Sequence, residues 1–242
     1  MNRSHLLALS LTAMVALAGC AQVPTDPDER ADFEAMNDPL EPMNRGIFDF
    51  NMALDRAIMK PVTTFYVDNV PEDARQSAHN FLNNLRGPWI FANDLLQGHP
   101  HQAADTLGRF MVNSFWGLAG LFDVVAGSGG PKYHDNDMGT TFAVWGIPDG
   151  PYLMLPFYGP SSPRDVAGKA AAWAAEPSDM VIGSYSSIAV NAHTGADMLD
   201  GRAQVLEPLN DIERNSIDFY AAVRSLYRQQ RAAQAGQKPT EY

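Results

Sequence analysis

Cysteine is almost missing: a chain of 242 residues carries one, Cys20. Internal disulfides are excluded, so stability has to come from packing. Basic residues are scarce, 17 Lys and Arg against 28 Asp and Glu for a formal charge of −11, and they form no cluster. That balance argues against a nucleic-acid partner and against a polybasic patch for anionic headgroups. Catalytic patterns are missing too. The nearest approach to a Gly-x-Ser-x-Gly elbow, Gly183-Ser184-Tyr185-Ser186, lacks its second glycine. The glycines between Gly127 and Gly130 run into Pro131 rather than a phosphate-cradling Gly-Lys-Ser/Thr. His99-Pro100-His101 has no acidic or cysteine partner at a ligand spacing, and Asp135-Asn136-Asp137-Met138-Gly139 departs from a calcium loop at its fifth position. No catalytic residue, metal or cofactor is expected. Long apolar runs are also absent: Leu6 to Ala18 falls short of the roughly 20 residues that cross a bilayer, and Arg109 to Asp123 bracket only an interrupted stretch that includes Asn113 and Ser114.

What is present begins at the N-terminus. Arg3 and the run from Leu6 to Ala18 have the layout of a secretory signal, residues 1–19. Leu17-Ala18-Gly19-Cys20 follows, which is similar to a bacterial lipoprotein box, so cleavage before Cys20 and acylation of that cysteine are expected. One acyl chain holds a protein only marginally, and multiple acylation gives stable anchoring. Residues 20–37, rich in Pro, Asp and Glu, read as the lipidated N-terminus and a solvated tether.

Residues 38–231 carry helical periodicity. Asp38-Pro39-Leu40-Glu41 has the form of a helix start, and Leu40, Met43, Ile47, Phe50, Leu54 and Ala57 make one stripe of a helix that should end before Pro61. Ala74 to Leu85 form the next stripe, broken by Arg86-Gly87-Pro88, and Pro100 opens another whose pattern continues to Val125. From Gly127 to Asp165, Gly and Pro are too frequent for a long helix, yet the apolar density requires packing against helices, lipid or a partner. Val166–Ala175, Ser184–Leu206 and Asp211–Arg231 read as later helices, with 232–242 as a flexible tail. His193 and Asp197 share a helical face, which makes them solvated surface or the polar lining of a headgroup path.

The segments DPLEPMNRGIFDFNMALDRAIMKPV, NFLNNLRGP, NDLLQGHP, RFMVNSFWGLAGLFDVVAG, GTTFAVWGIPDGPYLMLPFYGPSSPRD and FYAAVRSLYRQQR, in that order, resemble the MlaA (VacJ) outer-membrane lipoproteins. The resemblance implies an all-α, single ring-like domain with a central amphipathic channel, embedded in the inner leaflet of the outer membrane on its periplasmic side. It implies removal of phospholipids mislaid in the outer leaflet, association with a trimeric porin, delivery to a periplasmic lipid carrier, and no chemistry on the lipid. By matching the family stretches, Phe48, Asp49, Phe50 and Asn51 belong to the helix bordering the channel, and Gly150, Pro151, Tyr152, Pro156 and Tyr158 to the loop at its mouth. The alternative is a structural or adaptor lipoprotein, in which the aromatic Gly127–Asp165 segment docks a porin or another envelope partner without a lipid path.

Overall fold

The computed structural model describes residues 37–175 and 187–236. Cys20, the signal and most of the tether lie outside them. The fold is all-α apart from one small hairpin. In chain order it contains α1 (Glu41–Leu54), a π-turn (Asp55–Met59), α2 (Lys60–Asn69), α3 (Glu72–Leu96), α4 (Pro100–Phe115), α5 (Val124–Gly127), α6 (Met138–Val144), β1 (Leu153–Leu155), β2 (Gly159–Ser161), α7 (Pro163–Ala175), α8 (Ser187–Gln204), α9 (Leu206–Asn215) and α10 (Phe219–Gln234).

Two prolines expected to stop helices do not. Pro61 lacks the N–H for an α-helical bond and crowds the carbonyl one turn back. The π-turn absorbs this by widening the preceding turn, the Lys60 N–H reaching back to the Asp55 carbonyl, so α1 and α2 form one continuous rod. Pro88 lies inside α3, which runs through it to Leu96. Here packing overrides the local signal: a Cβ on the neighbouring Gly87 would come 3.1 Å from the Phe110 ring, so the glycine is what lets α4 lie against the interrupted turn. The expected Asp211–Arg231 helix is two, because the Asp218 carboxylate accepts the Ala221 N–H and starts α10 afresh. Asp38 does not cap α1, whose N-cap is Leu40.

Asp38 is instead the joint between the two ends of the domain. Its buried carboxylate accepts from Asn44 Nδ2 at 2.7 Å, Tyr220 Oη at 2.5 Å and Arg224 Nη1 at 2.6 Å. Around it lies the apolar core of Phe48, Tyr152, Met154 and Tyr220, with Phe48 edge-on to both Phe219 and Tyr220. The hairpin pairs Leu153 with Ser161 and Leu155 with Gly159, and α1 holds its edge with amides in place of a third strand. Asn44 accepts from the Met154 N–H and donates to the Tyr152 carbonyl; seven residues on, Asn51 accepts from Phe157 and donates to Leu155.

From this joint the contacts run round a circuit. Arg202 of α8 pairs with Asp55 of the π-turn at 2.7 Å. His79 and Arg86 of α3 reach Asp200 and Asp197 of α8, at 2.8 and 3.1 Å. Thr141 of α6 donates to Asn93 of α3, and Trp145 to the Leu96 carbonyl. Arg231 of α10 then bridges Asp137, which caps α6, and Asp165 of α7. α10 returns to α1, so the helices close into a ring-like order.

That closure is acid-sensitive. Burial pushes the Asp137 carboxyl up, but Arg231 and the Thr140 N–H outweigh it and leave its pKa below the ordinary 3.8. Asp218, beside Arg45, and Asp123, beside Arg109, end below it as well. A carboxyl depressed in the folded state contributes stability above its unfolded pKa and loses it as pH falls further. Denaturant titrations should therefore show stability constant from pH 7 to about 5 and declining below about 4.

Candidate functional site

The distribution of polarity is inverted relative to a water-soluble domain. Among the described residues, polar side chains dominate the most deeply buried positions: Asp38, Asn44, Thr63, Asn93, Asp94, Thr141 and Ser161 have almost no exposure, alongside the smaller apolar set of Ile90, Ala103, Tyr152, Met154 and Tyr220. Large apolar side chains lie outside, among them Phe65 (70 % exposed), Phe115 (75 %), Trp116 (73 %), Leu118 (63 %) and Trp173 (81 %). α4 shows the inversion within one helix. Thr106, Arg109 and Asn113 face inward, while Leu107, Met111 and Phe115, at i, i+4 and i+8, face outward. The turn after α4 continues this surface. Leu118 and Ala119 sit at φ 51° and 59°, where L-residues are strained, and a Cβ at the intervening-turn Gly120 would strike the Asn84 side chain. The turn keeps its own donors satisfied: the N–H groups of residues 119, 120, 121 and 122 bond to the carbonyls of Ser114, Asn113, Leu118 and Gly117. Asn84 and Asn80 of α3 hold it from the inner side through Ser114 and the Leu121 carbonyl. Among the described residues, no helix is long and apolar enough to cross a membrane.

Inside, the polar residues of α3, α4 and the segment between α5 and α6 line two adjoining spaces. The narrow one, about 40 Å³, lies between α3 and α4, bordered by Asn80, Asn83, Asn84, Arg109, Asn113 and Tyr133 together with the apolar Ile90 and Phe110. The wide one, about 840 Å³, opens between the ends of α3, α4, α6 and α10, lined by polar residues such as Gln97, His99, Gln102 and Gln234 and by the apolar Ala143, Val144 and Ala233. Arg109 is neutralised by Asp123 at 2.6 Å, and Arg86 by Asp197. Burial would lower the Arg86 pKa, but Asp197, Tyr133 and Asp135 raise it, so the guanidinium stays charged. The Tyr133 hydroxyl, buried and close to Asp135, is pushed up to about 12 and remains a neutral lining group.

The residues singled out from the sequence divide between places. Phe48 and Tyr152 meet in the core, and Asn51 holds the hairpin turn. Phe50 is half exposed and packs edge-on against Phe157 at 5.5 Å; Asp49 is exposed. Gly150 takes φ 75° and its carbonyl accepts from Asn37, Pro151 is half-buried, and Pro156 and Tyr158 are exposed at the hairpin tip, with Lys169 over the Tyr158 ring. These two stretches are brought together, but neither borders the two polar spaces. His193 is exposed, 3.7 Å from Asp197, whose other oxygen faces Arg86. His99 and His101 are exposed, and among the described residues no group of three or more His, Cys, Asp or Glu is placed to hold a metal.

The MlaA lipoprotein family pattern matches residues 36–234. The chain belongs to that family. It is 36% identical over 235 residues to the "Intermembrane phospholipid transport system lipoprotein MlaA" of Escherichia coli (strain K12), covering 93% of this chain and 85% of the relative. The relative of the same description from Haemophilus influenzae is 27% identical over 231 residues, covering 94% and 89%. A solved structure described as the "Structural basis for maintenance of bacterial outer membrane lipid asymmetry" superposes with a TM-score of 0.69 at 33% identity, covering 82% of this chain and 98% of that one. Within this family member, sequence reading missed the asparagines of α3 and the inward face of α4 as lining groups. The signal was available: Asn80, Asn83, Asn84 and Gly87 recur at helical spacing, as do Thr106, Arg109 and Asn113.

Proposed function

We propose that this protein is a passive phospholipid conduit of the outer membrane, which removes phospholipid mislaid in the outer leaflet and so maintains lipid asymmetry. The observation that carries the reading is the inverted polarity, an apolar skin round a polar interior. A headgroup stripped of water against hydrocarbon costs several kcal/mol, and a polar route inside an apolar ring lowers that barrier. In this reading the skin sits in one leaflet of the bilayer, and acylated Cys20 is its tether, on the periplasmic side. On the same reading the aromatic segment from Gly127 to Asp165, with Phe157 and Tyr158 exposed at its hairpin tip, faces a trimeric porin. Direction comes from a periplasmic carrier that accepts the lipid, because a passive path shifts no equilibrium by itself. The phospholipid-transport part of the reading is supported by the description of the relatives.

Deleting the protein should raise outer-leaflet phospholipid several-fold, read by surface labelling of phosphatidylethanolamine, and sensitise cells to detergent. Unchanged asymmetry would remove the proposal. An adaptor without a lipid path would be distinguished by a chain that still binds its partners when the polar interior is filled by bulky side chains: the conduit then fails and the adaptor does not.

A further inference from the structure

The two polar spaces share one lining side chain, His134. It sits in residues 130–137, which have neither helix nor strand, and its imidazole is one-third exposed. Side chains hold this segment at intervals. Arg109 donates to the Pro131 carbonyl, and Asn136 donates to Asp94 and accepts from Gln97. His134 Nε2 lies 3.0 Å from the Asp94 carboxylate, so that nitrogen carries the proton and donates. Asp94 is fully buried and no salt bridge to a Lys or Arg is found for it among the described residues, yet it also accepts from Thr106 Oγ1 and Asn136 Nδ2, each at 2.7 Å. Losing His134 therefore leaves the carboxylate bonded. Of the groups on Asp94, His134 is the one on an irregular segment with an exposed face.

We propose that His134 is the partition of a single polar route: seated on Asp94 it separates the narrow space from the wide one, and swung away it joins them. The same Nε2–H, released from Asp94, is a donor for a phosphate oxygen of the passing headgroup. A phosphoester headgroup thus replaces the carboxylate as acceptor, and the partition opens without leaving a buried donor unpaired. This rests on the conduit reading for its lipid, but not for the partition itself.

Two measurements on the full, acylated chain separate those claims. An Asn83→Cys reporter in the narrow space should react with a charged methanethiosulfonate at least tenfold faster when combined with His134→Ala, and at nearly the parent rate with His134→Gln, which keeps bulk and a donor. Asn80→Cys serves as a second reporter should Asn83→Cys fold poorly. An unchanged rate in both reporters overturns the partition. In vesicles of phosphatidylethanolamine and phosphatidylglycerol carrying the protein, His134→Ala should speed lipid redistribution threefold or more, and His134→Trp should slow it. Faster labelling with unchanged lipid movement overturns the gating role. A parent chain that moves no lipid defeats the conduit, and the labelling then decides the partition alone.

Discussion

Asp38→Ala should lower stability by about 3 kcal/mol or more, because it leaves Arg224 buried without its principal counter-charge. The pair is 2.6 Å long, the two side chains are 7 % and 1 % exposed, and they are separated by 186 residues, so it joins the start of the domain to its last helix. Glu41, 3.4 Å from Arg224, offsets part of the loss. Tyr220 and Asn44 lose an acceptor in the same step, and Asn44 is the group that holds β1. Asp38→Asn keeps an acceptor oxygen and should cost roughly half as much. In detergent the thermal midpoint of Asp38→Ala should fall by on the order of 10 °C for a domain of this size. A shift under about 2 °C would mean that the ring does not close through this joint.

The role of Asp38 was not legible in the sequence. Asp-Pro-Leu-Glu has the form of a capping motif, and a local rule reads it locally; nothing nearby announces partners at Tyr220 and Arg224. The same limit explains Pro61 and Pro88. Each carries a true local cost, met in one case by a π-turn and in the other by a glycine against Phe110, and neither compensation is visible before the helices are packed. Helix class, the Pro100 start and the amphipathic period of α4 were legible, because they depend only on spacing. What spacing cannot give is which face turns inward. In a soluble protein the stripe Leu107, Met111 and Phe115 would be core, and here Thr106, Arg109 and Asn113 are. The two polar-lined spaces depend on that reversal, which spacing alone does not reveal. The stretches at 48–51 and 150–158 were singled out by resemblance, and they meet at the hairpin joint rather than at either polar space.

Introducing charge into the turn after α4 should have opposite consequences in bilayer and in water. Phe115 and Leu118 are 75 % and 63 % exposed, so Phe115→Asp with Leu118→Asp removes little internal packing. At Leu118, φ is 51°, a region that aspartate enters more readily than leucine, so the free chain should be as stable as the parent or slightly more so. In hydrocarbon the balance reverses: each aspartate costs about 2.5 to 3.5 kcal/mol, or about 5 to 7 kcal/mol for the pair at full insertion. Acylation would mask the loss, so the comparison is made on Cys20→Ser chains floated with phospholipid vesicles. The Cys20→Ser parent should float through its apolar skin, and the doubly charged form should remain with the soluble fraction while its thermal midpoint is unchanged. If both float equally, this surface faces a protein partner or water instead of lipid, and the inverted polarity of α4 needs another cause.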